Sequence, residues 1–226
     1  MINLLWIVLT VFLFKISQKL TKYTFIGWMS PILTAGVVII LLLKMFHVDY
    51  YTYKQSASFL TFLLAPATIA LGYPLYKNLN MLVKNKRVVY TAFIFAVILA
   101  ILSTNFIGNI AHAEHVLVVS MLPKSVTAPI AIEVSKNLHG VPELTACTVV
   151  LTGVFGAIFG HKILKLIGVK NDIAIGLAIG AASHVLGTSK CIETGKPKQI
   201  VMSTLALVVV GILTVIAAPI IVRLIY

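Results

Sequence analysis

Between Val118 and Gly140 the chain reads VVSMLPKSVTAPIAIEVSKNLHG, which places an ammonium (Lys124), two hydroxyls (Ser125 and Thr127) and a carboxyl (Glu133) in one short stretch. An ammonium beside hydroxyl donors can hold a small anion. A carboxyl at low dielectric has its pKa raised toward the range where a proton can be taken up and released. A second cluster, Ser183, His184, Thr188 and Ser189, lies in GAASHVLGTSKCIE from Gly180 to Glu193 and offers hydroxyls and an imidazole without fixed charge. Each group also has a bland reading. Lys124 can snorkel to a membrane interface, Glu133 can be half of a structural ion pair, and His184 can be a buried, satisfied ring.

The elements that must position these groups are membrane helices. Hydrophobic residues make up 60% of the 226, charged residues 11%, and the mean hydropathy is +1.05, which excludes an ordinary soluble domain. Continuous apolar runs such as GVVIILLL at Gly36 to Leu43 exclude the alternation of a β-barrel. The fold expected is an all-α polytopic membrane protein, one integral domain over residues 1–226 with a core at 57–226. The net charge of +12 is spread between hydrophobic segments, so it reads as a topology signal and gives no indication of nucleic-acid binding. Cys147 and Cys191 have no paired-ligand spacing, and no metal site or disulfide framework is indicated.

Spans are expected at about 3–20, 25–43, 58–76, 88–111, 144–159 and 200–221, with 44–55 as an interfacial loop and the two chemistry-bearing stretches as broken elements. That makes seven or eight crossings. The breaks are placed at Pro66 and Pro74 in the third span, at Pro123 and Pro129 in the first chemical stretch, and at Gly187 in the second, because proline removes a backbone donor and glycine admits unusual backbone. Broken helices survive at membrane depth only where protein or a cavity receives their polar backbone. An echo between APATIA…KNL near Pro66 and APIAI…KNL at Ala128 to Leu138 raises the expectation of an inverted repeat like that of secondary transporters. Asn105 and Asn109 share one face of the fourth span, and Gly153, Gly156 and Gly160 form a small-residue face for close helix packing or oligomers.

The charge pattern leaves one conflict. Lys77, Lys84, Lys86 and Arg87 place their loop in the cytoplasm, and simple alternation then puts Lys162, Lys165 and Lys170 outside, against the positive-inside bias. Either that loop is an exception or one broken element enters and leaves on the same side.

Three segments, PATIALGYPLYKN at Pro66 to Asn78, LPKSVTAPIAIEVS at Leu122 to Ser135 and GAASHVLGTSKCIE at Gly180 to Glu193, resemble the LrgB/CidB family of bacterial membrane proteins, which is also similar to the plastid glycolate/glycerate translocator. The first 50 residues carry little of that resemblance. It implies a multi-pass protein of the bacterial cell membrane, no cofactor, a homo-oligomer, and one of two functions. One is a proton-coupled carrier of small monocarboxylates such as pyruvate, lactate, glycolate or glycerate. The other is a holin-like or antiholin-like regulator of murein hydrolases and lysis, working with a small LrgA/CidA-type partner. For the carrier, Lys124 and Thr188 are expected on the carboxylate with Ser189 as a further anion ligand. Ser125, Thr127 and Ser183 are expected on the hydroxyl or keto oxygen, and Glu133 or His184 at proton coupling. An enzyme is not expected, since neither His-Glu-x-x-His nor Gly-x-Ser-x-Gly occurs.

Overall fold

The structure is a computed structural model of the chain, and it describes residues 2–23, 31–63, 66, 69–70, 72–77, 80 and 86–225. They gather into two compact units, Met1–Thr68 and Ile69–Tyr226. The described residues form helices and no strands, as the composition requires.

In the first unit, α1 (Ile2–Tyr23) packs against α2 (Pro31–Met45) and α3 (Tyr50–Ser56), and α4 (Ser58–Phe62) follows. Pro31 opens α2, where its missing N–H has no intrahelical acceptor to lose. The segment expected as an interfacial loop folds largely as α3, because the Asp49 carboxylate caps it by accepting from the Tyr51 N–H at 2.8 Å. Trp6 meets Tyr53 edge-on with ring centroids 5.7 Å apart. The break expected at Pro66 falls where residues 64–65 and 67–68 lie outside the described ones.

The second unit contains α5 (Gly72–Lys77), α6 (Lys86–Ile110), α7 (His115–Met121), α8 (Ala128–Asn137), α9 (Pro142–Leu166), α10 (Asp172–Glu193) and α11 (Pro197–Ile225). Pro74 lies within α5, and residue 71, just before that helix, is outside the described ones. α6 buries Val89, Phe93, Val97 and Ile101, a stripe at four-residue spacing. Its opposite face shows Tyr90, Ile94, Phe95, Leu99 and Phe106, an apolar surface suited to lipid. Met202, Leu205, Ala206 and Val210 of α11 and Val118, Val119, Val126 and Val134 around the first break complete the core. Four helices among the described residues are long and apolar enough to cross a membrane, within α6, α9, α10 and α11; the seven or eight crossings expected also count segments that fall partly outside the described residues.

One of those four is not a straight rod. A straight helix would hold the ends of α10 about 33 Å apart. Yet Asp172, at its start, accepts from Gln199 Nε2 at 2.7 Å, and Thr194, just past its end, lies 3.3 Å from Gln199 Oε1. Closer in, Gly180 abuts the Ser203 backbone while the Thr188 hydroxyl reaches the Ser203 carbonyl at 3.4 Å. Gly187 has room for no side chain, because a Cβ there would stand 2.9 Å from the Ile179 carbonyl. All these pairs are centred on Ser183 and His184, whose backbone is non-helical (φ −131°, ψ 15°; φ 40°, ψ −135°). α10 is therefore a helical hairpin with limbs 172–182 and 185–193. The break expected at Gly187 lies instead at Ser183–His184, and Gly187 serves the close approach of the limbs.

The first broken stretch also turns back on itself, with the turns at 122–127 as one arm and α8 as the other, so that Ser120 at the end of α7 meets Gly140 and Val141 past the end of α8. α7 and α8 are separated by turns at 122–127, and the Thr145 hydroxyl of α9 bonds both the Ser120 carbonyl (2.8 Å) and Ser135 Oγ (2.7 Å). Ser120 and Ser135 are thus no more than two hydrogen bonds apart, whereas a continuous helix would separate them by about 22 Å. Pro123 lies in the turn as expected. Pro129 does not break anything, since it sits in the first turn of α8 where proline is accommodated.

Candidate functional site

The turn of the first hairpin carries the first chemical cluster. Lys124 is half-buried, and its ammonium donates to Thr104 Oγ1 on α6. Among the described residues no carboxylate forms an ion pair with it: Glu133 pairs with Lys136 at 2.7 Å, Glu193 with Lys190 at 2.6 Å and Asp172 with Lys196 at 3.1 Å. Thr127 is the N-cap of α8 and only 5% exposed, yet its hydroxyl has no hydrogen-bond partner among the described residues. A buried hydroxyl left unpaired at a helix N-terminus, next to the first-turn N–H groups of Ala128 and Ile130 (Pro129 has none), is a donor in want of an acceptor. Ser125 lies half-buried in the same turn.

Glu133 does not join them. Its side chain is 66% exposed and held by Lys136 three residues on, on the outer face of α8.

In the second hairpin His184 is 4% exposed, and its Nε2 lies 2.9 Å from the Val149 carbonyl. A carbonyl only accepts, so Nε2 carries the hydrogen and Nδ1 holds the lone pair. The ring fits because α9 offers Gly153 there, and Ser183 fits against Gly156 for the same reason. The glycine face of α9 is thus filled by α10, and it serves packing within the chain in place of contact between chains. Thr188 is buried against α11, whereas Ser189 is exposed and bonds back to the Val185 carbonyl at 3.0 Å.

The two turns reach the same depth. Val118 packs on Gly108 of α6, and Lys124 reaches Thr104, one helical turn or about 6 Å further along α6. On α9, Thr145 holds the first hairpin, and Val149, one turn further on, holds His184. Both hairpins pack against α6, α9 and α11. Among the expected ligands, Lys124, Ser125 and Thr127 come from one tip and Ser183, His184 and Thr188 from the other; Ser189 and Glu133 stand apart. Thr104 and Val149 are not singled out by the sequence. A threonine and a valine inside apolar spans carry no local signal, and only the fold gives them their partners. Asn105 is buried and Asn109 exposed, so that pair is divided between core and surface. Among the described residues no group of three or more His, Cys, Asp or Glu could hold a metal ion.

A family model described as the LrgB-like family matches residues 10–224. The chain is 36% identical over 226 residues to an uncharacterised protein of Haemophilus influenzae, covering 98% of this chain and 96% of the relative. It is 34% identical over 221 residues to the uncharacterised protein YxaC of Bacillus subtilis, at 98% and 96% coverage. The holin-like protein CidB of Staphylococcus epidermidis is 29% identical over 222 residues, again at 98% and 96%. No solved structure matches the chain.

Proposed function

The chain belongs to the LrgB-like family, and from that premise we propose that it has a holin-like role in the bacterial cell membrane, exercised by moving a small monocarboxylate across it. The role is supported by the name of the CidB relatives. The molecular activity is supported by one observation above others: Lys124, a half-buried ammonium whose partner is a hydroxyl, at the tip of a helical hairpin. An unpaired ammonium at that depth costs several kcal/mol unless an anion compensates it. One lysine matches one negative charge. The Thr127 hydroxyl and the N-terminus of α8 supply donors for the carboxylate and an adjacent oxygen. Of the two groups suited by type to proton coupling, the buried His184 fits the task and the exposed Glu133 does not.

The inverted repeat belongs to this reading with different boundaries. α6 and α9 are each 25 residues long, and each is followed by a hairpin. The end of α6 and the start of α9 both meet α7, so the two helices run antiparallel. The repeat unit proposed is one helix plus one hairpin, α6 with α7–α8 and α9 with α10, while the echo between 66–78 and 128–138 falls partly outside the described residues.

A second reading starts from the same relatives' name, holin-like, and takes the rest from the family resemblance: a holin-like or antiholin-like regulator of murein hydrolases, assembled as a homo-oligomer with a small LrgA/CidA-type membrane protein, that carries no solute. Cells lacking this chain separate the two when complemented with wild type or with Lys124→Gln. The carrier reading predicts that the variant, present in the membrane at normal level, loses both monocarboxylate flux and the lysis phenotype. Restoration of lysis control without flux favours the regulator.

A further inference from the structure

The two hairpins enter the second unit from opposite ends. The first is fed by turns at 111–114 and 138–141, beside the end of α6 and the start of α9. The second is fed by turns at 167–171 and 194–196, beside the end of α9 and the start of α11. His161, near the end of α9, lies 3.2 Å from Gln199, which ties the α10 base to that end. The limbs of the second hairpin, 11 and 9 residues long, rise about 16 and 14 Å, and α8, of 10 residues, rises about 15 Å, each close to half of a hydrocarbon core about 30 Å thick. Each hairpin therefore reaches mid-membrane, and the common level of Thr104 and Val149 brings both tips there.

This arrangement removes the charge conflict. With α10 returning to the side it came from, Lys162, Lys165, Lys170, Lys190, Lys196 and Lys198 gather at one end of the unit. The positive-inside bias makes that end cytoplasmic, in agreement with Lys77 to Arg87. Each hairpin also puts the N-terminus of its returning limb at its tip. One such N-terminus begins at Ala128, capped by the unpartnered Thr127 hydroxyl, and the other follows His184.

We propose that the two tips form one shared anion site with a gate on each side. α7–α8 opens it outward and α10 opens it inward, and a carboxylate is held between Lys124 with Thr127 on one tip and the start of limb 185–193 on the other. The proposal rests on the carrier reading and adds the division of the site between the hairpins. Access would alternate because the inner limbs are clasped to α11 and α9 through Asp172, Thr194, Gln199 and His161, a set of contacts that must open for α10 to move.

Two measurements on the full chain in a Cys147→Ser background test it, Cys191 being buried. A membrane-impermeant maleimide is applied to oriented vesicles carrying Lys170→Cys, Lys198→Cys or Ala111→Cys. The expected result is that 170 and 198 label from the cytoplasmic face and 111 from the other; labelling of 170 and 198 from opposite faces overturns the proposal. Asp172→Cys/Gln199→Cys is then joined by a short bis-reactive linker with a reducible bond, and uptake of labelled pyruvate, lactate and glycolate is measured. Linking should lower uptake at least tenfold, with recovery on reduction. Unchanged uptake after linking overturns the inner gate while leaving the carrier intact, and absence of uptake before linking removes the carrier reading itself.

Discussion

Lys124 and His184 occupy the two tips for different physical reasons, and substitutions separate them. Lys124 has chemistry with little structural duty: among the described residues its ammonium bonds Thr104 alone, so Lys124→Met should retain the fold. Loss of uptake with a melting temperature in detergent equal to or above that of the wild type is the expected result, since the uncompensated charge is removed. Glu133→Gln, altering an exposed ion pair, should change uptake less than twofold. His184 has both duties. Its φ of 40° is costly for any residue with a Cβ, about 1–3 kcal/mol, and its ring bond to Val149 helps hold it there. His184→Ala keeps the strain and loses the bond, whereas His184→Gly loses the bond and relieves the strain. Thermal unfolding should therefore find the alanine variant less stable than the glycine variant by about 1 kcal/mol.

The first break is legible in its prolines and lysine, since two prolines and a charge inside an apolar run do not suit a continuous lipid-facing helix. The second lies three residues before Gly187, the residue type that most readily admits unusual backbone. Here a histidine takes that backbone, held by a carbonyl 35 residues away that no local pattern reveals. Glu133 reads as buried because its neighbours are apolar, but a ten-residue helix has an outer face, and Lys136 shares it.

At the scale of elements, the hairpin of α10 is the feature on which the rest depends. It is held by fit as much as by bonds. A Cβ at Gly156 would collide with both Oγ and Cβ of Ser183. Gly156→Ala should cost about 1–3 kcal/mol of stability, Ser183→Ala should not rescue it, and Ser183→Gly should recover most of the loss. The reversal itself is measured by Asp172→Cys/Thr194→Cys, two positions that meet at Gln199. A short bis-maleimide should join them in the membrane-embedded protein, and failure of the reagent to bridge them would restore a straight helix about 33 Å long. The sequence shows that Asp172 to Glu193 is a poor span, because Ser183, His184, Thr188 and Ser189 interrupt it. It does not show a hairpin, because the contacts that close it are made with α11 and α9.

For the whole molecule, the charge pattern is the most legible property and the span count the least. The lysines act as topology signals, and their apparent conflict contains the answer: an element that returns to its own side. Length and apolarity alone count α10 as a span, although its two limbs lie side by side. The same construction separates a carrier from a simple pore. In the proposed arrangement two hairpin tips at mid-depth would present polar backbone to a central site, whereas a pore-forming helix needs no such ends.

Uptake of labelled pyruvate, lactate and glycolate by proteoliposomes holding the purified chain, alone and with a small LrgA-type partner, tests the central claim most directly. The account predicts saturable uptake of at least one of them, accelerated by an inward proton gradient and lost in Lys124→Gln. No uptake by the folded chain in either preparation, or undiminished uptake by the variant, would contradict it.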